Sequence, residues 1–136
     1  MVVKFQYDDE GKGIFGHIYR PVAKVTFKSP RTNILADVWM VVDTGADYSI
    51  LPRHIAGKLR ISLEKDCVRE VTFGVGGNQT VFFLKTKIKA VIGKSERNVP
   101  IAFFDTDEVP PLLGRLGFLE TFDAEFLKSH TVVFKN

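Results

Sequence analysis

The stretch Val41-Val42-Asp43-Thr44-Gly45-Ala46 decides how this sequence is interpreted. An apolar run at positions 38–42 leads directly into an aspartate, and we expect this run to be buried on both faces. Carboxylates are seldom placed at the end of a core strand without a task, because burying an unpaired charge is costly. Gly45 permits a tight turn and a close approach of the backbone to the acid. We therefore predict that Asp43 is catalytic; the alternative is a turn aspartate that caps backbone groups.

The composition predicts one globular domain spanning residues 1–136. The chain has 136 residues, of which 45% are hydrophobic, and this is enough for a packed core. A formal charge of +3 is too small to indicate a nucleic-acid partner. The single cysteine, Cys67, excludes an intrachain disulfide and fits a reducing compartment. With no secretion signal and no apolar run of about 20 residues, we expect a cytoplasmic protein with no membrane partner.

Alternating apolar and polar residues predict a β-rich chain, punctuated by turns at 8–13, 29–33 and 93–98. Strands are expected at 2–7, 14–19, 22–27, 34–42, 67–73, 80–90 and 99–104, with a closing hairpin of 123–127 and 131–135. A short helix is predicted at 52–59 with Pro52 in its first helical position, and another at 116–122. No linker or repeat divides the sequence.

Several kinds of chemistry are open to an aspartate at a strand end. An aspartyl-phosphate nucleophile is typical of alternating β and α elements, which this sequence lacks. A metal site is not indicated, since His17, His54 and His130 are scattered without ligand spacing, and no cofactor is predicted. The remaining role is general acid–base catalysis by two carboxylates that share a proton. The chain has one Asp-Thr-Gly, so a two-fold axis must supply the second from another copy.

Three segments in order carry a family resemblance: Asp43-Thr44-Gly45-Ala46-Asp47, Gly74-Val75-Gly76-Gly77 and Leu112-Leu113-Gly114-Arg115. They resemble a retropepsin-like (retroviral-type) aspartic protease, and the extra length and the helix resemble cellular, prokaryote-type members. The resemblance implies an all-β, retropepsin-like acid protease fold. This is a closed, β-barrel-like domain with one or two short helices, assembled as a two-fold symmetric dimer. In retroviral members the chain termini build much of the dimer, whereas the terminal segments here differ.

The resemblance also implies roles for individual residues. Asp43 is the catalytic acid, Thr44 bonds across the two-fold axis, and Gly45 and Ala46 support the loop. Asp47 touches substrate and pairs with Arg115. The flap tip that closes over substrate consists of Gly74, Val75, Gly76 and Gly77. The support and side-chain pocket behind the loop consist of Leu112, Leu113 and Gly114.

The predicted function is that of an aspartic endopeptidase acting as a homodimer on a peptide or protein substrate. The alternative is a catalytically weak or inactive protease-fold module that binds peptides or dimerises. Simpler interpretations of the motifs also stay open at this point. The glycine tip is also compatible with an ordinary hairpin turn. Residues 112–115 are compatible with a purely structural role in the core, and Asp47 and Arg115 are compatible with unrelated surface charges.

Overall fold

A computed structural model describes residues 1–74 and 77–136, so the predicted flap residues Val75 and Gly76 lie outside the described part of the chain. Short strands separated by tight turns make up most of the fold. The strands are β1 (Val2–Gln6), β2 (Asp8–Gly13), β3 (Gly16–Arg20), β4 (Val22–Lys28), β5 (Leu35–Val42), β6 (Ile50–Leu51), β7 (Cys67–Gly74), β8 (Gly77–Leu84), β9 (Ile88–Ile92), β10 (Ser95–Val99), β11 (Ala102–Phe104), β12 (Leu112–Leu113), β13 (Asp123–Leu127) and β14 (Thr131–Lys135). One α-helix, α1 (Arg53–Lys58), and one 3-10 turn (Leu119–Thr121) complete the described elements.

Within residues 1–74 and 77–136 the strands form three sheets. The largest has nine strands in the order β10-β9-β4-β5-β12-β6-β11-β8-β7, and it curls into a half-barrel. A terminal sheet has the order β1-β14-β13, so strands from the two ends of the chain pair with each other. The third sheet is the hairpin β2–β3. The predicted all-β class is confirmed.

The core is built by strands β4 and β5, which pair antiparallel from Val22 opposite Val41 to Lys28 opposite Leu35. Alternate residues of each strand point to the same face, so a period of two separates core from solvent. In β4 this puts Val25 and Phe27 fully inside. Burying each such side chain contributes roughly 1.5–3 kcal/mol to folding.

Strand β5 is buried on one face only, so the expected burial of 38–42 on both faces is wrong. Val38, Met40 and Val42 are inside, whereas Trp39 is 53% exposed. Its ring packs edge-on against Phe5 of the terminal sheet, with 5.8 Å between the ring centroids. Consecutive residues of a strand face opposite sides of the sheet. Here the terminal sheet covers part of the outer side of β5.

The predicted turn at 8–13 is wrong, because these residues form strand β2. The pairing register of β2 with β3 shifts between Asp9 and Lys12, and Gly11 adopts a φ of +88°. A β-bulge therefore absorbs the residues that looked like a turn. The polar character of β2 reflects exposure of the two-stranded ribbon to solvent.

Two long predicted strands are interrupted. The stretch 80–90 ends as a strand at Leu84, because the Lys85 amide turns to donate to the Asp66 carbonyl at 2.9 Å. The stretch 99–104 breaks at Pro100, which has no amide hydrogen to donate. The predicted turn at 93–98 shrinks to Gly93 and Lys94, as expected when glycine provides a φ of +61°.

The predicted helix forms at Arg53–Lys58, with Pro52 as its N-cap instead of its first helical residue. Its buried residues, Ile55 and Ala56, pack on the core as the pattern indicated. The second predicted helix is only the 3-10 turn. No helix in the described ranges is both long enough and apolar enough to cross a membrane.

Candidate active site

Asp43 follows directly after β5, where the strand leaves the centre of the nine-stranded sheet. Its amide donates to the Leu113 carbonyl at 3.0 Å, which fixes the backbone of the acid against β12. Its Oδ1 accepts from the Gly45 amide at 3.0 Å. The side chain is only partly covered. The carboxylate therefore caps its own turn and is still reachable from solvent, so the two interpretations of this residue are compatible.

Strand β12 lies between β5 and β6 in the sheet, although it is distant from both in the sequence. It runs parallel to β5, with Leu112 opposite Val41, and antiparallel to β6, with Leu112 opposite Ile50. The Val41 amide also donates to the Pro111 carbonyl at 2.8 Å. The loop 43–49 thus begins and ends on strands that are both bonded to the same two-residue strand. This arrangement holds the position of Asp43 at both ends of its loop.

Gly114 allows the chain after β12 to press against this loop. A Cβ at this position would lie 2.1 Å from the Tyr48 carbonyl oxygen and 3.0 Å from that of Ala46. Contacts this short do not occur, so only glycine fits without moving the backbone. The Gly114 amide donates to Ser49 Oγ at 2.9 Å, and both residues are buried. Close packing and a buried hydrogen bond therefore lock the two segments together.

Two further backbone bonds continue this contact. The Arg115 amide donates to the Ala46 carbonyl at 3.0 Å, and the Leu116 amide donates to the Asp47 carbonyl at 2.9 Å. The Arg115 guanidinium forms an ion pair with the Asp47 carboxylate. Both of these side chains are about half exposed, so solvent weakens their attraction. The rigidity of the loop comes mainly from the backbone bonds and less from the charges.

The hairpin β7–β8 carries the glycine-rich segment and forms one edge of the nine-stranded sheet. Its strands are paired from Cys67 opposite Leu84 to Gly74 opposite Gly77, and Gly77 adopts a φ of +102°. The rings of Phe83 and Tyr48 pack edge to face at 5.1 Å. The hairpin and the Asp43 loop are therefore in contact through their aromatic side chains.

The part of the sequence that carries these features matches a known protein family. A family model described as aspartyl protease matches residues 24–116. The chain belongs to the aspartyl protease family. The structure is also similar to that of a retropepsin-like aspartic protease from Rickettsia conorii, with 20% identity, a TM-score of 0.61, and coverage of 96% of this chain and 98% of that chain. Among curated protein sequences, none matches this chain significantly. The predicted retropepsin-like fold and the resemblance to prokaryote-type members are confirmed.

The second Asp-Thr sequence of this aspartyl protease family member, Asp105-Thr106, lies in a different environment. Asp105 forms an ion pair with Arg53 at the start of α1. Asp107 accepts from the His54 amide at 2.7 Å and from its ring, and these hydrogen bonds lower the pKa of the Asp107 carboxyl. This segment therefore anchors the start of the helix. Among the described residues, no group of three His, Cys, Asp or Glu side chains is placed to hold a metal ion.

The sequence analysis did not identify Ser49 and Tyr48 as part of the site. Ser49 is a small polar residue directly before the apolar pair Ile50-Leu51, and it is 2% exposed. A hydroxyl at the end of an apolar segment is a signal for a buried hydrogen bond, because a lone buried polar group is unfavourable. No such signal was available for Tyr48, since its contact with Phe83 depends on a distant hairpin.

Proposed function

We propose that this chain is an aspartic endopeptidase that hydrolyses peptide bonds as a homodimer, with water activated between two Asp43 carboxylates, one from each subunit. The observation that carries the proposal is the partly covered Asp43 carboxylate on a loop fixed by β12, Ser49 and Gly114. Two carboxylates in contact cannot both ionise, so one stays protonated and the other accepts a proton from water, as is established for aspartic proteases. Membership of the aspartyl protease family supports the same chemistry.

The pairing must occur between subunits, because each chain contributes one Asp-Thr-Gly. Asp105 and Asp107 do not substitute for a second Asp43, since Arg53 and His54 engage them beside α1. A two-fold axis next to the Asp43 loop brings two identical carboxylates together. In this arrangement Thr44 bonds across the axis, and Gly45 and Ala46 keep the loop close to the carboxylates.

We propose that the substrate is an extended peptide that binds as an added strand beneath the β7–β8 hairpin. Added strands satisfy the backbone of a peptide, while pockets read its alternate side chains. Leu112 contributes to an apolar cluster next to the Asp43 loop, together with the buried residues Ile50, Val81 and Phe104. This cluster supports a preference for an apolar substrate side chain. The segment 74–77 acts as the flap tip, and Asp47 contacts the peptide backbone.

The test is cleavage of a peptide library over a range of pH by wild-type protein and by Asp43→Asn. We expect a bell-shaped pH profile with an acidic optimum for the wild type and no cleavage by the variant, with an unchanged circular dichroism spectrum. Asp123→Asn is the matched control, since Asp123 is an exposed aspartate at the start of β13 in the terminal sheet. Cleavage by Asp43→Asn at the wild-type rate would refute the assignment.

Mixed dimers test the sharing of the site. If each site needs two Asp43 carboxylates, mixing wild-type chains with Asp43→Asn chains lowers activity as the square of the wild-type fraction. A linear decrease would show that each subunit acts alone. A stable dimer without cleavage at any pH would instead support a protease-fold binding module. We also propose a cytoplasmic location, which the single buried cysteine, Cys67, supports.

A further inference from the structure

The hairpin β2–β3 ends in two large apolar side chains that nothing covers. Ile14 is 97% exposed and Phe15 is 105% exposed. Single apolar residues on a surface are ordinary, but hairpin tips usually carry Gly, Asn, Asp or Ser. Neither side chain of this pair is covered by the chain. The tip therefore presents apolar surface to the outside of the subunit.

The base of this hairpin is held firmly while its tip is free. Tyr19 stacks on His130 with 4.0 Å between ring centroids, and Arg20 lies 3.5 Å from the Glu10 carboxylate. In the described chain the two strands pair only with each other. A lone two-stranded ribbon is marginally stable in water, so a contact that covers it adds to its stability. A fixed base also lowers the entropy lost when the tip binds.

The hairpin leaves the subunit at the end where Asp43 lies. Pro21, directly after β3, accepts a hydrogen bond from the Val42 amide at 2.9 Å, and Val42 immediately precedes Asp43. Any dimer that joins two Asp43 carboxylates brings these ends of the subunits together. The hairpin of each subunit then lies at the interface.

A groove beside the hairpin base offers apolar surface to such a tip. It has a volume of about 660 Å³, and Trp39, Pro110 and Pro111 form part of its walls. The groove is also lined by charged residues of both signs: Glu10, Arg20, Asp37, Lys58, Asp107 and Glu108. A five-residue strand extends about 17 Å at roughly 3.3 Å per residue. The tip of the same subunit therefore cannot reach the groove at its own base without unpairing β2 from β3. The tip of a second copy is free of this restriction.

We propose that hairpin Asp8–Arg20 is a dimerisation arm whose tip, Ile14 and Phe15, inserts into the groove beside Trp39 and Pro111 of a second copy. The inference rests on the proposed function, because it presupposes the two-fold dimer that completes the site. The exchange is symmetric, so both arms and both grooves are occupied.

The charge of the arm favours a protein partner over a membrane surface. Apolar tips that bind membranes are typically surrounded by basic residues, which anionic lipids attract. This arm instead has more acidic than basic residues: Asp8, Asp9 and Glu10 against Lys12 and Arg20. The groove holds charged residues of both signs, so a second copy of the chain suits the tip through the apolar walls of the groove.

The decisive experiment compares dimerisation of the full-length protein with that of the double variant Ile14→Ser/Phe15→Ser by sedimentation equilibrium. Because a symmetric dimer loses four buried apolar side chains, we expect the dimer Kd to rise at least about 100-fold. Leu35→Ser is the matched control, since Leu35 is 62% exposed at the opposite end of β5 from Asp43. Its Kd should equal that of the wild type. An unchanged Kd for the double variant would overturn the proposal.

Photo-crosslinking locates the contact directly. A benzophenone amino acid at position 15, in a mixture of ¹⁴N- and ¹⁵N-labelled chains, should give intermolecular crosslinks to residues 107–111 or to Trp39. Crosslinks confined to other regions would refute the groove as the binding site. Tip-dependent binding to vesicles of phosphatidylcholine and phosphatidylserine, with no change in dimer Kd, would assign the tip to membranes and overturn the proposal.

Activity measurements separate this proposal from the proposed function. The double variant should lose activity at concentrations where the wild type stays dimeric, and regain wild-type activity per chain at saturating protein. If the activity of mixtures with Asp43→Asn falls as the square of the wild-type fraction while the tip variant dimerises normally, the dimerisation-arm proposal is wrong and the shared active site stands. If the wild type is active as a strict monomer, the shared site fails and the arm fails with it.

Discussion

The close approach of Gly114 to the Asp43 loop gives the sharpest prediction, tested by Gly114→Ala. The added methyl carbon would lie 2.1 Å from the Tyr48 carbonyl oxygen and 2.5 Å from its carbonyl carbon, whereas ordinary contacts begin at 3.4 Å. Both neighbours are backbone atoms, so no change of rotamer relieves the overlap. The loop 43–49 or the segment after β12 must therefore move by roughly 1 Å.

The expected cost combines two effects. Forcing extra volume into a well-packed region typically costs about 1–3 kcal/mol. The displacement also weakens the buried hydrogen bond from the Gly114 amide to Ser49, which adds about 1 kcal/mol. We therefore expect the free energy of unfolding to fall by about 2–4 kcal/mol. Because a misplacement of about 1 Å can lower catalysis about 100-fold, cleavage should fall by a similar factor even where the protein is folded.

Urea unfolding and peptide cleavage, both at a protein concentration that keeps the wild type dimeric, measure these two effects. Gly57→Ala is the matched control, because nothing lies within 4 Å of a Cβ at this helical position. It should gain roughly 0.5–1 kcal/mol of stability and keep full activity. A Gly114→Ala protein with wild-type stability and cleavage would refute the role assigned to this contact.

Three further predictions concern the surroundings of the site. Ser49→Ala removes the acceptor of the buried Gly114 amide, and we expect it to lower the free energy of unfolding by about 1–3 kcal/mol in urea titrations. Arg115→Met removes the exposed partner of Asp47, and it should cost less than about 1 kcal/mol, an effect that shrinks further in high salt. Burial raises the pKa of the Cys67 thiol to about 11, so alkylation by iodoacetamide at pH 8 should be slow in the folded protein.

Each of these has a control within the chain. Ser129→Ala removes an exposed hydroxyl and should leave stability unchanged. Lys135→Met breaks the exposed ion pair with Glu125 in the terminal sheet, and its cost should match that of Arg115→Met. A much larger cost for Arg115→Met would show that its charge holds the loop. Rapid alkylation of Cys67 in the folded state, at the rate seen in urea, would contradict its burial.

Much of the fold followed from local signals. The period of two in β4 and the apolar end of β5 identify the central strands, because one face of each must be buried. The closing hairpin of β13 and β14 was predicted with the bounds that the structure shows. The errors fall where tertiary contacts override local pattern. Strand β2 reads as a turn because its β-bulge uses the same residues that turns use.

The site was predictable in its parts but not in its assembly. Asp43, Gly114 and Arg115 stand out as residue types with a chemical or steric role. The hydrogen bond that joins Ser49 to Gly114 spans 65 positions in the sequence, so no local pattern reveals it. The same holds for β12, a two-residue strand that is defined by its neighbours and not by its own sequence.

The pairing of the chain ends bears on how the two halves of a shared site meet. Strand β14 lies between β1 and β13, so its backbone groups on both sides are satisfied within one subunit. β14 therefore offers no unpaired edge to a partner, whereas the chain termini of retroviral members build much of the dimer. We therefore expect another element at the same end of the subunit to contribute to the surface that joins two Asp43 loops. Tyr7 alone separates hairpin β2–β3 from β1, and Pro21 alone separates it from β4. Since the Pro21 carbonyl accepts from the Val42 amide, the base of the hairpin lies at this end.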